Sequence, residues 1–362
     1  MIAEKRAQVA LVRGQSRYES VAGALVELGD ALDLRSVRQV LVKPNFVSIE
    51  RQLASTHVDA VRAVLDAVRA RYDGRLIVAE GPALGAASEA FKTFGYESLR
   101  AEYDVELLDL NTDEVVSVQA YDRRLRPQTL HMARTVVESD YRISVGPPKT
   151  HDTVVVTLSI KNMVMGALMA SSAVRGDGGG SRLQRRFVNA VPGWMRHSAL
   201  AEWAKGALLG SPTSSKLAMH QGYPVINLNL ALLAPYAWPH LVVVDGWVGM
   251  EGEGPSVGDP VDWQVALAGV DALAVDVLGA SLMGFDPTQV GYLQYCARLG
   301  LGVGALEQIE TRGNLRPEDV RRAFRPHPTV SRQLDWQGDS ARLRAALADL
   351  LGRGAPHLER TE

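Results

Sequence analysis

Cysteine is almost missing from this chain, which has one, Cys296, among 362 residues. A single thiol excludes an internal disulfide, a four-thiolate iron–sulfur cluster and a four-thiolate zinc site. Any metal must therefore be held by His, Asp, Glu, Asn or backbone oxygen. Cys296 lies in a segment predicted to be helical, without neighbouring residues that would activate its thiol, and the chain has no Gly-x-Ser-x-Gly elbow. We therefore do not expect covalent acyl transfer.

Long apolar runs and an excess of one charge are missing as well. No segment approaches the roughly 18 consecutive apolar residues of a membrane helix, and residues 1–6 lack the apolar region of a signal peptide. The formal net charge is −2, with 22% charged residues, so nothing indicates a surface for nucleic acid. We expect a cytoplasmic protein with no membrane span and no nucleic-acid partner, and homo-oligomerisation stays open.

What the chain does contain is an alternation of short apolar runs with segments whose apolar residues recur at helical spacing. With 46% hydrophobic residues it can bury one large domain or two closely joined ones. The alternating strands and helices predict an α/β fold, with a mainly parallel twisted sheet and helices on both faces. Residues 105–130 shorten into strand-like pieces, which predicts an antiparallel excursion. We expect a first α/β half at 1–170, a second at 217–312, and a helical C-terminal tail at 313–362 packed by Leu343, Ala346 and Leu350.

Residues 171–216 are predicted to form a basic helical insertion between the two halves. Three glycines, Gly178 to Gly180, precede a stretch in which basic residues outnumber acids. Apolar residues between Met195 and Leu208 recur at helical spacing, which predicts one or two amphipathic helices. Such a stripe most commonly covers a core. A mobile lid over a pocket, a dimer contact and docking on an anionic surface are the alternatives.

Four apolar runs of this chain end in polar residues beside Gly or Pro. The runs end at Lys43, at Glu80, at Lys149 with His151, and at Asp245. A single such end could be a rigid, solvated turn. Because ligands of open α/β sheets bind outside the carboxyl ends of the strands, the repetition predicts one shared pocket at that edge.

The predicted pocket offers cations, carboxylates and amides. The chain has few lysines beside many arginines, and a semi-buried lysine can bind an anion or act as a base once burial lowers its pKa. The structural alternative is an ion pair with Glu80 or Asp245. We predict catalytic roles for His151, Lys149, Lys161 and Glu80, and substrate binding by Lys43, Asn45, Asn162, Asp245, Glu251 and Glu253.

Three of the eight histidines, His57, His151 and His220, stand near turns where carboxylates are also expected. Such a set would suit a divalent transition metal such as zinc, iron, nickel or manganese. No His-x-x-x-His spacing is present, so distant loops would have to assemble the ligands. A glycine-rich loop predicted at 246–258 carries Glu251 and Glu253, which would repel phosphate and suit a cation or a hydroxyl group.

Ordered motifs along the chain resemble those of domain-of-unknown-function family 362. The resemblance covers roughly residues 38–312. The motifs are Val42-Lys43-Pro44-Asn45, Thr56-His57, Pro148-Lys149-Thr150-His151, Ile160-Lys161-Asn162, Val244-Asp245-Gly246, Glu251-Gly252-Glu253-Gly254-Pro255 and Asp271-Ala272-Leu273-Ala274-Val275-Asp276.

The resemblance assigns no reaction. It implies redox relatives that carry a ferredoxin-type cysteine segment, and this chain departs from them because it has one cysteine. A fainter similarity is to nickel-pincer lactate racemases, which also place His and Lys at strand ends for a hydride-handling cofactor.

These observations favour a small-molecule enzyme that uses metal-assisted or acid/base chemistry on an anionic substrate. Proton abstraction or Lewis-acid activation next to a carboxylate or carbonyl would make it an isomerase, a lyase or a cyclising enzyme. Two alternatives remain. One is a non-catalytic binder or carrier of a cofactor or metal, and the other is an oxidoreductase with a bound organic cofactor.

Overall fold

The structure is a computed structural model that describes residues 6–83, 85–170, 214–338 and 341–353. The strands are β1 Ala7–Val12, β2 Gln39–Lys43, β3 Arg75–Glu80, β4 Glu106–Asp109, β5 Val115–Tyr121, β6 Pro127–Ala133, β7 Tyr141–Gly146, β8 Lys149–His151, β9 Val155–Thr157, β10 Leu241–Glu251, β11 Asp259–Gly269 and β12 Ile309–Arg312. The helices are α1 Arg17–Glu27, α2 Val58–Arg69, α3 Ala87–Thr93, α4 Leu99–Tyr103, α5 Arg134–Glu138, α6 Ser159–Ala167, α7 Ser215–Ala218, α8 Tyr223–Leu233, α9 Ala272–Leu282, α10 Gly291–Arg298, α11 Pro317–Val320, α12 Val330–Gln333 and α13 Ala341–Arg353.

One mixed sheet organises the molecule, in the strand order β12-β1-β11-β10-β7-β2-β3-β4. The strands β10, β7, β2, β3 and β4 pair in parallel, whereas β11 runs antiparallel to both β10 and β1. β7 lies beside β10, so strands from both predicted halves share this sheet. The short strand β8 pairs in parallel with β10 at Met250, past the segment of β10 that pairs with β7, and β9 pairs antiparallel with β8. The predicted mainly parallel α/β fold is confirmed.

Successive residues of the central strands enter two separate cores. Val40 and Val42 of β2 belong to one core, and Leu41 between them belongs to the other. Helices α1 to α4 cover the first face, and α6, α8, α9 and α10 cover the second. Because both faces are buried, the strands read as continuous apolar runs rather than as alternating patterns.

Helix α2 shows why these segments become helices. Its apolar residues recur at intervals of three and four, and the predicted face from Val58 to Val68 is buried. The helix begins after His57, whose Nδ1 accepts a hydrogen bond from the Asp59 N–H at 3.2 Å. This cap satisfies one of the amide groups that a helix start leaves without a partner.

Two local predictions can be compared with the observed elements. The antiparallel excursion is the hairpin β5–β6, which forms a separate two-stranded sheet. The glycine-rich loop predicted at 246–258 is shorter than expected, because β10 continues to Glu251 across an irregularity between Gly246 and Val248. A Cβ on Gly246 would lie 2.8 Å from the Val265 carbonyl oxygen, so this glycine serves close strand packing rather than a loop.

The C-terminal tail packs through the residues that the sequence predicts. Leu343, Ala346 and Leu350 of α13 are buried. Trp336 precedes them and meets the Tyr295 ring edge to face, with ring centroids 5.2 Å apart. The predicted insertion lies outside the described residues except for 214–216. In the part of the chain that is described, no helix is long and apolar enough to cross a membrane.

Candidate functional site

A buried ion pair lies at the carboxyl ends of β2 and β3. The Lys43 ammonium is 2.7 Å from Glu80 Oε1, and both side chains are almost wholly excluded from solvent. Lys43 also donates to Asn162 Oδ1 at 2.9 Å and to the Pro44 carbonyl at 3.0 Å. The two residues meet because β2 and β3 are parallel neighbours whose ends reach the same edge.

Two asparagines connect this ion pair to a second buried lysine. Asn162 Oδ1 accepts from Asn45 Nδ2 at 2.9 Å as well as from Lys43. Asn45 Oδ1 in turn accepts from Lys149 Nζ, which also donates to the Ala54 carbonyl at 2.8 Å. The amide oxygens thus solvate two ammonium groups where water is excluded. The alternative of a solvated turn does not hold for Lys149, because Lys149 is fully buried in β8.

Helix α6 carries Asn162 and Lys161 and is fixed at both ends. At its start, the Asp276 carboxylate accepts from Ser159 N and Oγ and from Ile160 N, at 2.6 to 2.9 Å. Near its end, a Cβ on Gly166 would lie 2.1 Å from Lys43 Nζ, so only glycine allows this approach. The register of α6 against the sheet therefore determines where its polar side chains lie.

Lys161 differs from its neighbours because its amine donates no hydrogen bond within the described residues. The side chain is nevertheless almost fully buried, at 7% exposure. Burial lowers its pKa to about 8, and Lys43 adds to that effect while Asp152 opposes it. About one fifth of this amine is therefore neutral near pH 7.4.

A fourth buried lysine, Lys216, was not among the predicted site residues. Its amine donates to the carbonyls of Met165 and Gly166, at 2.7 and 3.1 Å, in the last turn of α6. Burial lowers its pKa to about 7, and Lys43 and Lys161 add to the effect against Glu80. Its position at the start of α7, just after the undescribed insertion, gave no sequence signal that it returns to this edge.

We call Lys43, Lys149, Lys161 and Lys216, together with Glu80, the lysine centre. The chain has 39 basic residues, and only seven of them are lysines, so this centre gathers four of the seven. The buried arginine Arg142 is different, because backbone carbonyls such as those of Trp238 and Ser139 accept its hydrogen bonds. Its role is structural, whereas the Glu80 carboxylate acts electrostatically on all four lysine amines.

Two buried oxygens near the centre have no hydrogen-bond partner among the residues that the structure describes. They are Glu80 Oε2 and Thr157 Oγ1. Thr157 lines a cavity of about 10 Å³ beside Ser144, Asn162 and Ser159, which is room for roughly one water molecule. Glu80 Oε2 is the second oxygen of the carboxylate that pairs with Lys43. An unpaired buried acceptor costs about 1–3 kcal/mol, so these oxygens mark places where a further group would be stabilised.

His151 lies next to the centre as a neutral base. It is buried, and its Nδ1 accepts a hydrogen bond from the Thr153 N–H at 3.0 Å. Burial lowers its pKa to about 3, and Lys161 adds to the effect. The Asp152 carboxylate, 3.0 Å from the same nitrogen, favours the protonated form but does not outweigh burial.

The predicted metal ligands do not converge in the described part of the chain. There, no three side chains of His, Cys, Asp or Glu are grouped so that they could hold a metal ion. His57 caps α2 on the other face of the sheet, and its pKa is lowered by burial and by Arg17. His220 lies nearer to His151, with its Nδ1 3.1 Å from the Lys216 carbonyl oxygen.

The predicted acids also lie in different surroundings. Asp245 is 3.0 Å from the Arg17 guanidinium and follows the alternation of Val243, which places it on the face covered by α1 to α4. Lys43 follows the alternation of Leu41 and lies on the other face. The sequence analysis did not identify Arg17 as the partner of Asp245. Period-two alternation along the strands places Asp245 and Lys43 on opposite faces of the sheet. The predicted pocket is therefore two clusters at one sheet edge.

Glu251 and Glu253 lie where β10 ends and its following loop begins. Glu251 Oε2 accepts a hydrogen bond from the Arg325 amide at 3.0 Å. The loop is held against β8, because Thr150 Oγ1 donates to the Gly252 carbonyl at 3.0 Å. The Thr150 hydrogen bond ties the loop to the β8 segment that carries Lys149.

Comparison with known proteins places the chain in a family. A family model described as Domain of unknown function (DUF362) matches residues 40–281. The chain belongs to this family. The matched region includes every residue of the lysine centre, and the family name assigns no reaction.

Two known proteins are similar to this DUF362 chain. A thylakoid-associated protein of Synechocystis is 24% identical over 308 residues, which cover 83% of this chain and 81% of that protein. The solved lactate racemase apoprotein from Thermoanaerobacterium thermosaccharolyticum shares 14% identity with a TM-score of 0.45. That match covers 78% of this chain and 58% of the racemase chain.

Proposed function

We propose that this DUF362 protein is a small-molecule enzyme that binds an anionic substrate at the lysine centre and removes a proton from it with Lys161. The observation that carries the proposal is the state of Lys161. It is a buried amine without a hydrogen-bond partner in the described residues, and its pKa is lowered to about 8.

The charge of the centre supports an anionic substrate. Glu80 acts electrostatically on all four lysine amines. Burial lowers the pKa of Lys149, and Lys161 and Lys43 add to that effect. Like charges in a buried site repel one another more strongly than in water. A carboxylate or phosphate between the amines would relieve this repulsion and recover part of the cost of burying them.

The choice of lysine supports acid/base chemistry rather than binding alone. Most basic residues of the chain are arginines, which stay protonated in proteins and recognise anions well. Only lysine can lose its proton when burial lowers its pKa. A base is most effective when its pKa lies near the working pH, and the pKa of Lys161, about 8, meets this condition.

The proposed reaction begins with proton transfer from carbon to Lys161. The neutral amine takes a proton from the carbon next to a carboxylate or carbonyl, and the electrons of the broken C–H bond move onto the carbonyl oxygen. Lys149 and the Lys43–Asn162 pair would stabilise the resulting negative charge. Return of a proton to the opposite face of this carbon, or to a neighbouring carbon, gives an isomerase, and loss of a leaving group from the neighbouring carbon gives a lyase.

Hydrogen–deuterium exchange tests the proposal without knowledge of the product. Small carboxylates and keto acids are incubated with the protein in D₂O, and loss of C–H signals is followed by proton NMR. We expect exchange of at least one compound to fall at least 100-fold in Lys161→Gln and in Lys161→Arg, since neither side chain can act as the base.

The matched control is Lys92→Gln, which removes an exposed lysine of α3. Exchange that persists in Lys161→Gln would contradict the assigned base. Anion binding without exchange of any compound would instead favour the carrier function.

A further inference from the structure

We infer that the anion bound at the lysine centre carries its own hydrogen-bond donor, which it gives to Glu80 Oε2. This inference rests on the proposed function and names the substrate class of the same site. It follows from counting donors and acceptors around Glu80, independently of any titration.

Glu80 is buried to 2% exposure with its two oxygens in unequal states. Oε1 accepts from Lys43 at 2.7 Å. Oε2 is buried and has no hydrogen-bond partner within the described ranges of the chain. A buried carboxylate oxygen is a strong acceptor, so its free energy falls when a donor reaches it.

The surrounding lysines leave donors for an anion but none on Oε2. Lys43 uses all three of its N–H groups, on Glu80, Asn162 and Pro44. Lys149 and Lys216 each donate two hydrogen bonds, so one N–H group of each protonated amine remains available to a ligand. Lys161 makes none within the described residues and keeps all of its N–H groups.

The site therefore presents several free donors and one free acceptor. A simple anion satisfies the donors and places its own lone pairs against Glu80 Oε2, which costs binding energy. An anion that bears an O–H or N–H satisfies both sides. A buried polar group that hydrogen-bonds a ligand is left without a partner when an analogue lacks the matching atom. Sites therefore discriminate strongly between a ligand and such an analogue.

This chemistry has two sources, which matched pairs of probes distinguish. Phosphate keeps at least one O–H at neutral pH, whereas sulfate has none. Glycolate carries a hydroxyl next to its carboxylate, whereas acetate carries none. Selectivity within the first pair assigns a protonated phosphate group, and selectivity within the second assigns a hydroxylated carboxylate.

The test is titration calorimetry of the full-length protein with these four anions at about pH 7. We expect the donor-bearing member of at least one pair to bind at least tenfold more tightly than its partner. Equal affinity within both pairs, to a factor of two, would overturn the inference while leaving the anion site intact. Failure of all four to bind would contradict the anion site of the proposed function itself.

The variant Glu80→Gln tests directly whether Glu80 Oε2 sets the preference between anions. Its amide can accept from Lys43 and donate where Oε2 accepts, so we expect the preference to disappear or invert in favour of sulfate or acetate. Glu97→Gln, at an exposed position, is the control and should keep the wild-type preference. Unchanged selectivity in a folded Glu80→Gln protein would contradict the role of Glu80. If that variant does not fold, the wild-type pairs decide alone.

Discussion

At the residue scale, Gly166 shows how closely the lysine centre is packed. A Cβ at this position would lie 2.0 Å from Lys43 Cε and 3.1 Å from Glu80 Oε1. Lys43 cannot move away freely, because three acceptors hold its amine. The glycine is therefore required by close approach and not by its own backbone conformation.

Gly166→Ala should destabilise the protein by about 1–3 kcal/mol, because the added methyl group overpacks a site that cannot relax. It should also weaken anion binding, since Lys43 must shift. Urea denaturation and calorimetry measure the two effects. Gly352→Ala in α13 is the control: a Cβ there meets nothing within 4 Å, and the change should stabilise its helix by up to about 1 kcal/mol. Equal effects at both positions would contradict the packing argument.

The residue scale also shows where sequence reasoning succeeds. Lys43, Glu80 and Lys149 were found because each ends an apolar run, and this position can be read from the order of residues. Lys216 and Arg17 were missed because their partners are remote: Lys216 reaches the end of α6, and Arg17 reaches Asp245. No local pattern reports a contact across so many residues.

At the scale of elements, α6 is the support of the site. Asp276 of α9 accepts three hydrogen bonds at the start of α6, so one helix caps the other. Asp276 belongs to one of the motifs that resemble the family, but the sequence does not name its partner. The contact fixes the helix that carries Lys161 and Asn162 relative to the sheet.

Asp276→Ala should lower the free energy of unfolding by about 2–4 kcal/mol, because it removes a cap and leaves buried N–H groups without an acceptor. It should also weaken anion binding, since α6 would shift at its first turn. Asp271→Ala is the matched control. It removes the cap of α9, on Ala274 N at 2.9 Å, and should cost stability without weakening binding. Denaturation and calorimetry of both variants separate support of the site from support of the fold.

At the scale of the whole molecule, the junction of β7 and β10 should contribute to acid sensitivity. His240 precedes β10, and its Nδ1 accepts a hydrogen bond from the Arg142 amide at 3.0 Å. Burial lowers its pKa to about 4, and the Arg142 guanidinium adds to the effect while Asp140 opposes it. The folded protein therefore holds this imidazole neutral, and the hydrogen bond depends on that state.

Because the ordinary pKa of histidine is near 6.5, the unfolded chain binds this proton at a higher pH than the folded protein does. The stability from neutral His240 is complete above about pH 6.5 and is lost as the pH falls towards 4. His240→Asn should flatten this part of the curve of unfolding free energy against pH. His131→Asn, on the exposed hairpin, is the control. A wild-type slope in His240→Asn would show that another group titrates there.

The order of apolar and polar residues was sufficient for the α/β class, the strand ends and most of the lysine centre. Period two and period 3.6 are local properties, and strand ends must meet at a common edge. Folding added what depends on position in three dimensions. It divided the predicted pocket between two faces of the sheet, brought Lys216 to the end of α6, and left Glu80 Oε2 and the Lys161 amine without partners in the described chain. Hydrogen bonding and burial depend on neighbours that are remote in the sequence. The tertiary structure therefore decides the protonation and the hydrogen bonds of each group.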